Sequence, residues 1–350
     1  MILLSNLHPS FWHGALLGLV SGLLLSILGA LVLAIQIFRR QDVYDNDHWK
    51  LNVKMPFTTM WMNMGYWTAA DGRPILDFEE ACCALLHEVL AASGVLMTDC
   101  REAPLSQLAI LDLGIGCGDQ SRELAQLARR MGCDDFHYVG LTLNDSQFQL
   151  ASNQVRDELQ KPTATRDFIK VFRADAARPD TWGPEIDAAI KSLVDANQRG
   201  SYPWVLGLDS MYHFFPSRRP IINYAARELG ASFMAFDLIL NSAASLQQRL
   251  LVKLIGIAMG CPSGAFLTER EYKMQLTEAG YDERQVLFQD VTNHVFPGLV
   301  GYMKRQEQAL RLFGISMAKF KVAGKVFGWF ASSGVLRASI VVAHRKPKTT

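Results

Sequence analysis

The tightest constraint on this chain is the run Ile110-Leu-Asp-Leu-Gly-Ile-Gly-Cys-Gly-Asp119, where an apolar stretch meets three glycines and helix-forming sequence follows at once. A strand that turns directly into a helix needs residues that accept positive φ and leave room for a ligand against the backbone, and glycine does both. The following helix offers unpaired N–H groups and the positive end of its dipole to whatever lies in the turn. Dinucleotide-binding folds space their glycines G-x-G-x-x-G. Here the spacing is G-x-G-x-G with an acid, Asp112, inside the strand. That arrangement suits a ligand carrying an ammonium group and disfavours a nicotinamide or flavin.

Around this turn, short apolar runs alternate with helical stretches. The pattern predicts strands at Leu108–Leu113, Tyr138–Leu143, Ile169–Arg173, Trp204–Leu208, Phe233–Leu240, Val286–Asp290 and Arg337–His344. Helices are expected at Glu79–Ala92, Gln120–Met131, Ser146–Leu159, Pro184–Asn197, Arg218–Leu229 and Thr268–Ala279. Such alternation builds βαβ units, so the expected fold class is α/β: a Rossmann-like, mostly parallel seven-stranded sheet with helices on both faces. Leu246–Met259 has helical spacing with a wide apolar face. Leu310–Phe330 mixes aromatic positions with Arg311, Lys319, Lys321 and Lys325; it fits either a membrane-surface helix or a core helix with its lysines in water.

From Gly14 to Phe38 no side chain ionises, and a helix of that length spans a ~30 Å hydrocarbon core at ~1.5 Å per residue. Trp12 stands at one end and Arg39-Arg40 at the other, with no Lys or Arg before the run. The positive-inside bias therefore places everything after Arg40 in the cytosol. A signal peptide would carry a basic start and a small-residue cleavage site, and a core helix would show a polar face. The expectation is a single-pass transmembrane helix, in the endoplasmic reticulum if the chain is eukaryotic.

The 35 Lys and Arg against 34 Asp and Glu give a net charge of +1, so no nucleic-acid partner is expected. The cysteines Cys82, Cys83, Cys100, Cys117, Cys133 and Cys261 form no C-x-x-C pair and have no histidines at zinc spacing. They read as buried free thiols in a reducing compartment, with no metal. The expected organisation is a tail at 1–13, the helix at 14–38, a linker and closing segment at 39–75, and one domain at 76–350. Within that domain a substrate cap is expected around 241–267 and a basic amphipathic stretch around 305–330.

Taken in order, these segments resemble the class I S-adenosylmethionine-dependent methyltransferases, in particular the cyclopropane-fatty-acid synthase-like and tocopherol methyltransferase-like group. Ile110–Gly118 resembles the first motif, which implies that Asp112, Gly114, Gly116 and Gly118 carry the methionine and ribose portion of the cofactor. Val139–Gln147 resembles the turn after strand two, with Thr142, Leu143 and Gln147 lining the ribose. Arg173–Ala176 resembles the adenine-binding turn, with Asp175 on the exocyclic amine and Ala176 beside it. Leu208–Phe214 resembles an E-S-x-x-H segment in which Asp209 replaces Glu. Met62–Trp67 resembles the segment that closes over the cofactor, and Thr268–Thr292 the late helix and strand. The acid that most members carry at the end of strand two is missing. Thr142 and Asn144 stand there instead, which leaves Gln147 or Asp145 as the ribose partner.

Methyl transfer is an in-line displacement governed by alignment, with a base needed where the acceptor loses a proton. His213, just past a strand's carboxyl end, is the candidate base. Tyr66 could polarise the substrate. Trp67, Tyr212 and His294 are candidate substrate-binding residues, and Trp61, Trp67 and Phe214 offer faces for a sulfonium cation. The resemblance implies S-adenosylmethionine as cofactor and a small hydrophobic or amphiphilic acceptor, such as a lipid, isoprenoid or secondary metabolite, met at the cytosolic membrane face. A non-catalytic membrane-anchored assembly factor and, further off, a nicotinamide oxidoreductase are the alternatives.

Overall fold

The computed structural model describes residues 9–37, 59–96, 107–160, 166–197, 203–311 and 315–345. The expected tail, much of the linker, Arg39, Arg40 and Cys100 lie wholly or partly outside them. Strand β1 (Gln107–Leu113) is buried along its whole length. Leu108 and Ile110 join one apolar cluster, while Ala109, Leu111 and Leu113 join another, because successive side chains leave a strand on opposite faces. Both faces are therefore covered, which is why the strands read as continuous apolar runs.

The remaining strands are β2 (Asp135–Thr142), β3 (Arg166–Arg173), β4 (Trp204–Leu208), β5 (Ser232–Leu240), β6 (Leu267–Thr268), β7 (Tyr281–Asp290) and β8 (Leu336–Arg345). Their order is β3-β2-β1-β4-β5-β8-β7, with β6 pairing β5 off this path. Only the pairings of β8 with β5 and β7 are antiparallel. Among the described residues the sheet thus has eight strands, not the expected seven; two-residue β6 is too short to show a period. The strand order reverses where β1 meets β4, and that switch point opens a crevice at their carboxyl ends.

Among the described residues the α-helices are α1 (Pro9–Ile37), α2 (Phe78–Ala92), α3 (Asp119–Arg130), α4 (Asp145–Leu159), α5 (Pro184–Asn197), α6 (Arg219–Arg227), α7 (Leu246–Ala258), α8 (Glu269–Ala279), α9 (Thr292–Arg311) and α10 (Ala318–Ser333). Side-chain caps start several of them: Asp77 accepts from the Glu80 N–H, Asn144 from that of Gln147, and Ser245 and Thr268 close capping boxes with Gln248 and Glu271. Residues 293–298, which include Pro297 and Gly298, lie inside α9. The basic stretch at 305–330 is likewise not one surface helix: it is divided between α9 and α10, whose aromatic residues pack inward. Phe296 meets Phe327 at 5.9 Å and Phe330 at 6.0 Å between ring centroids, while Lys321 reaches out to Glu307 at 2.8 Å.

Helix α1 runs through the apolar N-terminal segment, and Ser26 donates to the Gly22 carbonyl at 2.8 Å. Its described side chains from residue 16 to residue 32 are apolar, Gly or Ser and almost all exposed. Among the described residues no helix is long and apolar enough to cross a membrane. The expected transmembrane span is therefore not met by the described residues. Helix α1 packs beside α7.

Ahead of α2, the strap Thr59–Trp67 is fastened to α9. The Trp67 N–H donates to the His294 carbonyl at 2.7 Å, and a Cβ placed on Gly298 would lie 2.1 Å from the Trp67 Cβ. Gly298→Ala should therefore cost about 1–3 kcal/mol of stability through overpacking, measured as a lower urea midpoint at unchanged slope. A change under about 0.5 kcal/mol, the size of an ordinary surface substitution, would contradict this packing.

Candidate active site

The glycine turn is shaped by what stands against it. Gly114, Gly116 and Gly118 have φ of 80°, 58° and 96°. A Cβ on Gly114 would lie 2.7 Å from the Ser210 Cβ, and one on Gly118 would lie 2.7 Å from the Ala151 backbone. The N–H groups of Gly114 and Ile115 donate to the Leu141 carbonyl at 2.8 and 3.0 Å, which ties the turn to the end of β2. The carboxyl ends of β1, β2, β3 and β4 then surround a cavity of about 610 Å³, within the ~300–1,000 Å³ usual for small-molecule sites.

This cavity brings together Gly114, Gly116, Thr142, Leu143, Gln147, Asp175, Ala176, Asp209 and His213, along with Trp61 and Phe214. Thr142 donates to Gln147 Oε1 at 2.9 Å, and Leu143 keeps 55% of its surface exposed, an apolar shelf beside the turn at Ala174–Ala176. Asp175 accepts from the Ala177 N–H at 2.9 Å, and its carbonyl accepts from Trp182 Nε1. Asp145 also lines the cavity and pairs with Arg173 at 3.3 Å. His213 ends a helical turn after β4, with Nδ1 3.5 Å from Cys261 Sγ.

Other expected site residues lie elsewhere. Gly118 is the N-cap of α3 and does not line the cavity. Asp112 lies beneath the turn, fully buried; its carboxylate accepts from Gln120 Nε2 at 2.7 and 2.8 Å and from the Tyr138 hydroxyl at 2.7 Å. Burial pushes its pKa up to about 7 against those hydrogen bonds. Tyr66 stacks on His294 at 4.7 Å, His294 Nδ1 lies 2.9 Å from the Thr68 hydroxyl, and Trp67 packs on Phe78 and Tyr302. All three dock the strap to α9. The buried Tyr212 donates to Asp209 Oδ1 at 2.6 Å.

What the sequence did not show is how the closing segment is held over the turn. Residues Met60–Asn63 line the cavity, and two acids hold them down. The Met60 N–H donates to Asp119 Oδ2 at 3.0 Å, and the Met64 N–H to Asp209 Oδ2 at 2.8 Å. Asp119 was legible as an acid in the first turn of a helix, but only the fold shows it facing the cavity with Gln120. Asp209 has a φ of 59°, unusual for a residue other than glycine. Burial, with a contribution from the Asp237 charge, raises its pKa to about 8 against hydrogen bonds from Tyr212 and Met64. Behind it, Arg218 bonds Asp237 and the Ala265 carbonyl and stacks on Tyr272, joining β5 to the segment after α7.

Outside the cavity, Cys83, His87 and Glu123 bring metal-ligand atoms within 4.8 Å of one another. Glu123 is already engaged there by His87 at 3.0 Å and by Arg130 at 2.5 Å, and its contact with His87 links α2 to α3. The described cysteines are free thiols.

This architecture is the fold of the class I S-adenosylmethionine-dependent methyltransferases. No protein-family model matches the chain, and no curated protein matches it in sequence. Solved structures do match in fold. A cyclopropane synthase from Mycobacterium tuberculosis, MmaA2, aligns at TM-score 0.58 and 15% identity, over 88% of this chain and 98% of that one. The cyclase SpnF aligns at 0.53 and 15%, over 89% and 96%. Geranyl diphosphate C-methyltransferase from Streptomyces coelicolor A3(2) aligns at 0.52 and 15%, over 89% and 98%.

The raised pKa of Asp209 has a pH consequence. Between its ordinary 3.8 and about 8, the folded protein keeps a proton that the unfolded chain has released, so this group's contribution to stability falls as pH rises through that interval. Asn at this position mimics the protonated acid and lacks the decline. Urea unfolding at pH 5 and pH 8 should therefore show the stability difference moving in favour of Asp209→Asn at the higher pH. A difference that does not change with pH would mean that Asp209 is ionised in the fold.

Proposed function

We propose that the chain transfers a methyl group from S-adenosylmethionine to a small hydrophobic or amphiphilic acceptor. The observation that carries this reading is a turn with no room for a Cβ at Gly114, set in one cavity with Leu143, Asp175 and His213. The residues present fit the cofactor. The turn and the start of α3 would receive the methionine end, with Asp119 and Gln120 near enough to meet an ammonium group. Thr142 with Gln147 or Asp145 would hold the ribose hydroxyls, and Asp175, with Leu143 and Ala176, would take the adenine. When bound, the cofactor supplies an electrophilic methyl on a sulfonium. The chain's own part is alignment and exclusion of water: the strap covers the turn, and its aromatic Trp61, with Phe214, offers faces toward a cation.

His213 is the base, or the group that orients the acceptor. Its ring is flanked by Tyr212 at 4.4 Å and by Cys261, at the end of the cavity nearest the segment after α7. The reading gains support from the structural likeness to a cyclopropane synthase and to a geranyl diphosphate C-methyltransferase. The shared fold of a cyclase makes turnover the necessary test. Purified protein with a labelled methyl donor and a lipid extract should yield a labelled lipid. His213→Ala should lower that turnover by about 10²–10⁴-fold while S-adenosylhomocysteine still raises the thermal midpoint. Unchanged turnover in the variant would remove His213 from the chemistry.

We further propose that α1 tethers the catalytic domain to the cytosolic face of a membrane, where a soluble cofactor and a lipid-like acceptor meet. Its apolar side chains exposed on every described face support this. Deleting residues 1–37 should move the protein from the membrane pellet to the supernatant with S-adenosylhomocysteine binding retained. Loss of binding would show that α1 belongs to the catalytic fold.

A further inference from the structure

Helix α7 buries one side and leaves the other bare. Val252, Gly256 and Ala258 face the protein, whereas Leu246, Leu250, Leu251, Leu254 and Ile257 are 86%, 59%, 46%, 38% and 43% exposed. Leu246, Leu250, Leu254 and Ile257 follow helical spacing and form one stripe. Soluble proteins rarely leave that much contiguous apolar surface to water. Helix α1 packs beside this helix. Every described side chain of α1 from residue 16 to residue 30 is exposed. A second protein surface could cover one face of such a helix, but only a surrounding apolar medium covers its whole circumference. Whatever surrounds α1 therefore reaches α7 too. Lys253, exposed beside the stripe, can extend its ammonium to lipid headgroups while its stem lies along apolar surface.

The cap is coupled to the reacting end of the cavity. The Phe266 ring lies against Gly256 of α7, 2.7 Å from where a Cβ would stand, and 6.1 Å from the Tyr212 ring. Cys261, between α7 and Phe266, touches His213. We propose that α7 is a second membrane-contact element, lying in the interfacial layer of the bilayer beside α1 and presenting the His213 end of the cavity to lipid. Interfacial helices bury one apolar face at the headgroup–acyl boundary in this way. The inference rests on the proposed tethering by α1 and, in naming that cavity as the destination of a lipid acceptor, on the proposed methyl transfer.

The test uses the full chain carrying an environment-sensitive fluorophore on Leu250→Cys, with vesicles of phosphatidylcholine containing about one fifth phosphatidylserine, an anionic lipid of cytoplasmic leaflets. The expected result is a blue-shifted emission that is lost when the phosphatidylcholine is brominated on its acyl chains. The same dye on Lys191→Cys of α5 should be unaffected. In a second protein, with the dye on Leu246→Cys, adding Leu250→Glu and Leu254→Glu should abolish the quenching while S-adenosylhomocysteine binds with unchanged affinity. A vesicle-bound protein whose dye at 250 is not quenched by brominated lipid overturns the proposal. So does a blue shift without quenching, which would mean that a second copy covers the stripe. Cofactor binding is read independently, so failure of the methyltransferase reading would show as no S-adenosylhomocysteine binding, whatever the quenching.

Discussion

The site depends on a close approach of the Ser210 side chain to the Gly114 backbone at the carboxyl ends of β1 and β4. Gly114 stands where a Cβ would meet Ser210 at 2.7 Å, and Ser210 in turn donates to the Leu113 carbonyl at 2.7 Å. This contact holds the two switch-point strands together and leaves the glycine backbone facing the cavity instead of a side chain. The helix dipole of α3 and the crevice at the strand reversal then coincide in one place. Position, rather than any single reactive group, is what the fold supplies.

A second constraint is the strap, whose hydrogen bonds to Asp119 and Asp209 bring it across that crevice. Asp119 is buried, Asp209 is partly so, and both have raised pKa values. Asp209 adopts a left-handed backbone conformation as well, a local strain tolerated where the surrounding structure determines the geometry. Its carboxyl joins the lid to Tyr212, the neighbour of His213. Lid, strand end and candidate base are thus one hydrogen-bonded unit, with Arg218 and Asp237 behind it holding the segment after α7.

The sheet was legible because strands buried on both faces must be apolar along their length, and β1, β4 and β5 are. The glycine turn was legible because only glycine satisfies its backbone. Elements set by tertiary contact were not. β6 is two residues beside β5, and the helical state of 292–298 is fixed by Phe296 and Gly298 packing on α10 and Trp67 against the local signal of Pro297. Aromatic residues were the least legible. Tyr66, Trp67 and His294 have the composition of a substrate wall; Tyr66 stacks on His294, and Trp67 packs on Phe78 and Tyr302, which docks the strap, and composition alone does not distinguish a pocket wall from a core. Asp112 likewise carries the right charge in the right motif, yet its oxygens are taken up by Tyr138 and Gln120, while Asp119 faces the cavity.

The central claim is that the bend at Gly114–Gly118 receives the amino-acid end of a sulfonium nucleoside. A crystal structure of the complex with S-adenosylhomocysteine tests it most directly. The expected density places the homocysteine against that bend, within reach of Asp119 and Gln120, and the adenine between Leu143 and Asp175. A nucleoside bound outside this cavity, or a diphosphate held at the bend in its place, would contradict it.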